Sequence, residues 1–160
     1  MTASANAQRA GPCVVVGYDG SEAARAAVAF AARRAGKTGR VFVVHAFGPP
    51  PDWLGAPNYQ RMLEDHQGHG KALLDALLLE GADELIGTEF ELELVGGSPA
   101  TALNDVAQAR DADEIVVGSR GFGRLRAALG SVSHELMHIA DRPVVVIPEG
   151  LVRAHTEKRS

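Results

Sequence analysis

Apolar positions along this chain follow two rhythms that alternate from one end to the other. Val14 to Tyr18, Val41 to Ala46, Ile115 to Val117 and Val144 to Ile147 are short apolar runs bounded by turn residues, the pattern of strands covered on both faces of a sheet. Between them the spacing is helical. Glu22 to about Ala35 is rich in alanine, with Ser21 placed to cap its start and Gly36 to stop it. Gly48 to Pro57 reads as a rigid, irregular loop holding the only tryptophan. From about Tyr59 to Leu79, the residues Tyr59, Met62, Leu63, Leu73, Leu74, Leu77 and Leu78 mark one amphipathic helix, with Gly68 and Gly70 as points of weakness. Phe90, Leu92 and Leu94 alternate with Glu89, Glu91 and Glu93, a period of two that predicts an edge strand. Pro99 then opens a helix whose inner face carries Leu103, Val106 and Ala107.

The order is four strand–helix units closed by a fifth strand. It predicts a single α/β domain: an open, five-stranded, Rossmann-like parallel sheet with right-handed crossovers and helices on both faces. Residues 1–11 read as a disordered lead and 149–160 as a flexible tail, which leaves 12–148 for the domain. Ligands of such sheets bind beyond the carboxyl ends of the strands, where the strand order reverses. With the order 3-2-1-4-5, Asp19 and Gly118 flank one crevice.

Composition narrows the partners. A chain of 160 residues with 46% apolar and 22% charged residues fits one globular domain, and a net charge of −4 argues against nucleic acid. Cys13 stands alone, so neither an internal disulfide nor a cysteine zinc site is available. There is no apolar signal core at the start and no apolar run of about 18 residues; a cytoplasmic protein with no membrane partner is expected.

The chemistry concentrates between Ile115 and Ser133. A buried strand runs into Gly118, Gly121 and Gly123, and then into Gly130, Ser131 and Ser133 at a helix start. Glycine leaves no Cβ in the way, so backbone N–H groups can converge on an anion, and a helix start adds unpaired N–H groups at the positive end of its dipole. Arg120, Arg124 and Arg126 supply positive charge. A bare strand-to-helix turn would also use glycine, but such loops usually need about 2–6 residues, and this one is about twice that length.

These residues carry a resemblance. VVVGYDGS at the first strand, the His45-Ala46 pair, GGSPA before the third helix, and GSRG, GSVS and DRPVVVIP near the end resemble the universal stress protein family over about residues 12 to 148. Its nucleotide-binding members carry Gly, two residues, Gly, nine residues, Gly and Ser or Thr; here Gly118, Gly121, Gly130 and Ser131 match with eight residues in the long gap. The resemblance implies an ATP-binding regulatory or sensing module, with Mg2+ accompanying the nucleotide. It places Asp19 beside the adenine, Gly17 and Ala46 in the base pocket, and Gly118, Ser119, Arg120, Gly121, Gly123, Arg124, Gly130, Ser131, Val132 and Ser133 around the ribose and phosphates. For Asp19 a turn or N-cap role remains open, and for Ser131 and Ser133 a helix-capping role. The resemblance also implies a homodimer joined through Val144 to Ile147, and protein partners that the residues do not identify. The alternatives are a nucleotide-independent dimeric adaptor, a slow ATPase, and a binder of another adenine nucleotide such as cyclic AMP.

Enzymatic patterns fit less well. His134-Glu135-Leu136-Met137-His138 matches HExxH literally, but Val132, Leu136, Ile139 and Ala140 share the opposite helix face, so both imidazoles should face solvent. No third histidine follows at the spacing of the longer zinc-protease pattern. Such a pair would take up zinc or nickel adventitiously, and no metal set is assigned. The first loop, Tyr18-Asp19-Gly20-Ser21, is acidic where an ATP pyrophosphatase carries SGGxDS, and no lysine-bearing phosphate loop or kinase signature is present. No catalytic residue is nominated.

Overall fold

The computed structural model describes residues 10–119 and 129–148. Among these residues five strands and four α-helices alternate: β1 (Cys13–Gly17), α1 (Glu22–Ala35), β2 (Arg40–Phe47), α2 (Ala56–Gly81), β3 (Glu89–Gly96), α3 (Pro99–Ala109), β4 (Glu114–Gly118), α4 (Ser131–Ile139) and β5 (Val144–Ile147). The strands form one parallel sheet in the order β3-β2-β1-β4-β5, as the alternation requires. Apart from Ala10 and Gly11, the expected lead and tail lie outside the described residues. Among the described residues, no helix is long and apolar enough to cross a membrane.

Alternate residues of each strand feed two separate cores. On one face Val14, Val16, Val41, Val43, Val116 and Ile147 pack against α1 and α2; on the other Val15, Phe42, Val44, Ile115 and Val117 pack against α3 and α4. Burying one such side chain contributes about 1.5–3 kcal/mol, which is why contiguous apolar runs sit at the sheet centre. The Ser21 hydroxyl accepts from Ala24 N at 3.1 Å and caps α1.

Two glycines owe their identity to close packing. A Cβ on Gly118 would lie 2.8 Å from Ala23 Cβ and 2.9 Å from the Ala23 carbonyl carbon, because α1 crosses directly over the end of β4. Gly70 is no point of weakness: α2 runs unbroken through it, and a Cβ there would lie 2.5 Å from Leu94 Cδ1 and 2.7 Å from His45 Cδ2. At this residue the helix lies directly against side chains of β2 and β3. The irregular stretch after β2 is also shorter than expected, since it contains a single 3-10 turn at Asp52–Leu54 and Pro57 already belongs to α2, in the first turn where proline is tolerated.

Candidate functional site

At the carboxyl ends of β1, β2 and β4 a cleft of about 240 Å3 opens where the strand order reverses, walled by the starts of α3 and α4. Of the residues singled out in the sequence, Gly17, Asp19, Ala46, Gly118, Gly130, Ser131, Val132 and Ser133 line it. Arg120, Gly121, Gly123 and Arg124 lie outside the described residues.

Asp19 is built into the turn that ends β1. Its Oδ1 accepts from Ser21 N at 2.9 Å, an Asx turn that delivers Ser21 to its capping position. The open turn role is therefore real, and a carboxylate with two oxygens can accept elsewhere as well. One residue earlier, Tyr18 N extends the sheet by donating to Val44 O at 2.9 Å. The Tyr18 carbonyl is 2.8 Å from His45 Nδ1. A carbonyl only accepts, so Nδ1 carries a hydrogen and donates it. Burial raises the Tyr18 phenol above its ordinary value of 10.0, partly offset by the Arg25 guanidinium; Arg25 itself pairs with Glu80 at 2.8 Å.

The opposite wall is the start of α4. Gly130 is the N-cap residue and has no side chain to cap with. Ser131 and Ser133 do not act as N-caps, because both lie inside the helix. The Ser133 hydroxyl is buried and donates to Gly118 O at 3.2 Å, tying α4 to the end of β4. The first helical bond runs from His134 N to Gly130 O at 3.0 Å. The N–H groups of Ser131, Val132 and Ser133 thus precede the helix ladder at its positive end, and all three residues line the cleft.

The backbone of Gly130 and Ser119 is engaged differently. Gly130 N donates to Ser119 O and Ser119 N to Ile147 O, each at 2.8 Å. The first bond joins the two ends of the glycine-rich segment and the second ties the end of β4 to β5, so the Gly130 N–H expected at a phosphate is already committed to the chain. Ser119 does not line the cleft.

Several cleft residues went unread in the sequence. His45, Val44, Ser21, Pro99 and Leu103 contribute walls; the available signal was position, since each sits at the end of a predicted strand or the start of a predicted helix. Among the described residues no group of three histidine, cysteine or carboxylate side chains can hold a metal. His134 and His138 are exposed, as expected, and neither lines the cleft. Ile139, expected on the inner face of α4, is 40% exposed because it ends a nine-residue helix beside the last strand of the sheet.

Comparison with known proteins agrees with this architecture. The model of the universal stress protein family matches residues 13–148. A universal stress protein of Thermus aquaticus is 36% identical over 137 residues, covering 84% of this chain and 96% of the relative. The chain also spans about half the length of universal stress proteins from Mycolicibacterium smegmatis and Mycobacterium tuberculosis, at 32% and 36% identity. Among solved structures, a universal stress protein in complex with cAMP is 29% identical, with a TM-score of 0.64 over 86% of this chain and 97% of that one. The Archaeoglobus fulgidus universal stress protein in complex with dAMP is 25% identical, with a TM-score of 0.52 over 87% of this chain and 98% of that one. The sheet order, the crevice at its reversal point and the match across both place this chain in the universal stress protein family.

Proposed function

We propose that this chain binds an adenine nucleotide, ATP in the first instance, and serves as a regulatory or sensing module of the cytoplasm rather than as a rapid catalyst. One observation carries the reading. The three N–H groups that open α4 and the Asp19–Ala46 corner belong to opposite walls of the same cleft. A helix start favours phosphate through its N–H groups and its dipole, whereas a carboxylate favours the amino edge of adenine. The ligand would lie with its base against Gly17, Asp19 and Ala46 and its phosphates toward Ser131, Val132 and Ser133. Mg2+ would arrive with the triphosphate. The relatives in complex with cAMP and dAMP support an adenine ligand.

Cyclic AMP is the second reading, favoured by the 29% identical relative that holds it. Native mass spectrometry of the purified protein, followed by calorimetric titration with ATP, cAMP and GTP, tests the assignment. ATP binding tighter than cAMP and GTP is expected. Tighter cAMP binding would move the assignment to the second reading, slow phosphate release on incubation would add a weak ATPase, and no nucleotide binding would leave a dimeric adaptor.

A further inference from the structure

We infer that His134 and His138 form a two-ligand site for a divalent, imidazole-preferring transition ion, of the class of Cu2+, Ni2+ and Zn2+, on the outer face of α4. Four residues apart on a helix, the two side chains lie one above the other, and both are exposed on the side opposite buried Leu136. Their ring centroids are 4.9 Å apart, with the rings edge to face at 75°. A bond of about 2.0–2.1 Å from metal to imidazole nitrogen puts the ion about 3.2 Å from each ring centroid. Ligand angles between about 90° and 109° then require centroids about 4.5–5.2 Å apart. The observed separation falls inside that window, but rings standing edge to face do not both aim a nitrogen at one point, so the ion is bound by turning a ring about its Cβ–Cγ bond. Because no third ligand joins them among the described residues, the remaining positions on the ion stay open to water or to a group from another molecule.

The location gives the site a consequence. α4 has nine residues, short enough that its helical state depends on packing rather than on its own hydrogen bonds. His134 N makes the first bond of this helix, to Gly130 O. An ion bridging His134 and His138 would clamp the turn that immediately follows the cleft-lining N–H groups of Ser131, Val132 and Ser133. The site itself stands apart from the cleft and does not depend on a nucleotide being bound there.

The test uses the full chain with metal salts alone. Cu2+ followed by electron paramagnetic resonance, and Zn2+ followed by calorimetry, are expected to give one ion per chain bound through two imidazole nitrogens. His134→Gln and His138→Gln should each weaken the first equivalent at least about tenfold, while His69→Gln, on the exposed side of α2, leaves it unchanged. Zn2+ should slow amide hydrogen exchange in α4 of the wild type and not in H138Q. Wild-type affinity in the H134Q/H138Q double variant would overturn the site, as would no binding at millimolar metal. Unchanged α4 exchange on saturation would overturn the clamp.

Discussion

Asp19 separates a structural role from a recognition role within one side chain. Its Oδ1 holds Ser21 N in the turn, so Asp19→Ala removes the turn along with any base contact. Asp19→Asn keeps an acceptor for Ser21 N and replaces the other oxygen with a donor, which suits the O6 of guanine better than the amino group of adenine. This variant should stay folded while its preference for ATP over GTP falls about tenfold or more, measured by competition calorimetry. Undiminished discrimination would leave Asp19 with the turn alone. Tyr18 sets a pH limit. The fold favours its neutral phenol and raises its pKa above 10.0 through burial. That contribution to stability is whole below about pH 10 and is lost as pH rises through the higher native value. Urea midpoints measured from pH 8 upward should fall at the alkaline end for the wild type and fall less for Tyr18→Phe.

At the scale of elements, legibility followed the range of the interactions. β1, β2 and β4 were readable because contiguous apolar runs encode burial on both faces, β5 because its run is equally apolar although it lies half-buried at an edge, and α1 because Ser21 and Gly36 mark its ends within the local sequence. The site was readable as far as it sits on strand ends and a helix start. What escaped depends on contacts between distant residues. Ser131 and Ser133 both offer themselves as caps, yet Gly130 takes the N-cap position, and its N–H is bonded to Ser119 O, eleven residues back in the chain. His45 became part of the site through Tyr18 O, which directly follows the neighbouring strand β1. Gly118 carries a testable lesson of the same kind, since its lack of a Cβ is required by α1 whatever the cleft holds. Gly118→Ala would drive a methyl against the Ala23 backbone, which cannot rotate away. A cost of about 1–3 kcal/mol is expected from denaturant unfolding, and it should appear with or without nucleotide. A wild-type midpoint would show that α1 can withdraw from β4.

Over the whole molecule, the sheet formed by the described residues ends in two edges of opposite character. Along β3, Glu89, Glu91 and Glu93 form ion pairs with Arg40 and Arg110, and charged side chains of this kind discourage strand addition. Among the described residues β5 has no such charges along it: Val144, Val145 and Val146 are only half-buried, and α4 beside it leaves Met137 59% and Ile139 40% exposed. Ile115 N donates to Pro143 O and Ser119 N to Ile147 O. By the two-residue period of a strand, the backbone groups of Val144 and Val146 therefore point away from β4 and out of the sheet. A second copy of β5, related by a two-fold axis, would satisfy these groups and close the edge of both chains. This argument supports the proposed homodimer and identifies a variant that isolates it. Val146→Pro deletes an outward N–H while keeping an apolar side chain, and proline is tolerated on an edge strand when its missing N–H faces solvent. The wild type should scatter light as a dimer at micromolar concentration, and V146P should be a folded monomer with the far-ultraviolet circular dichroism of the wild type. A monomeric wild type would remove the dimer, and a V146P variant that still pairs would move the interface away from β5.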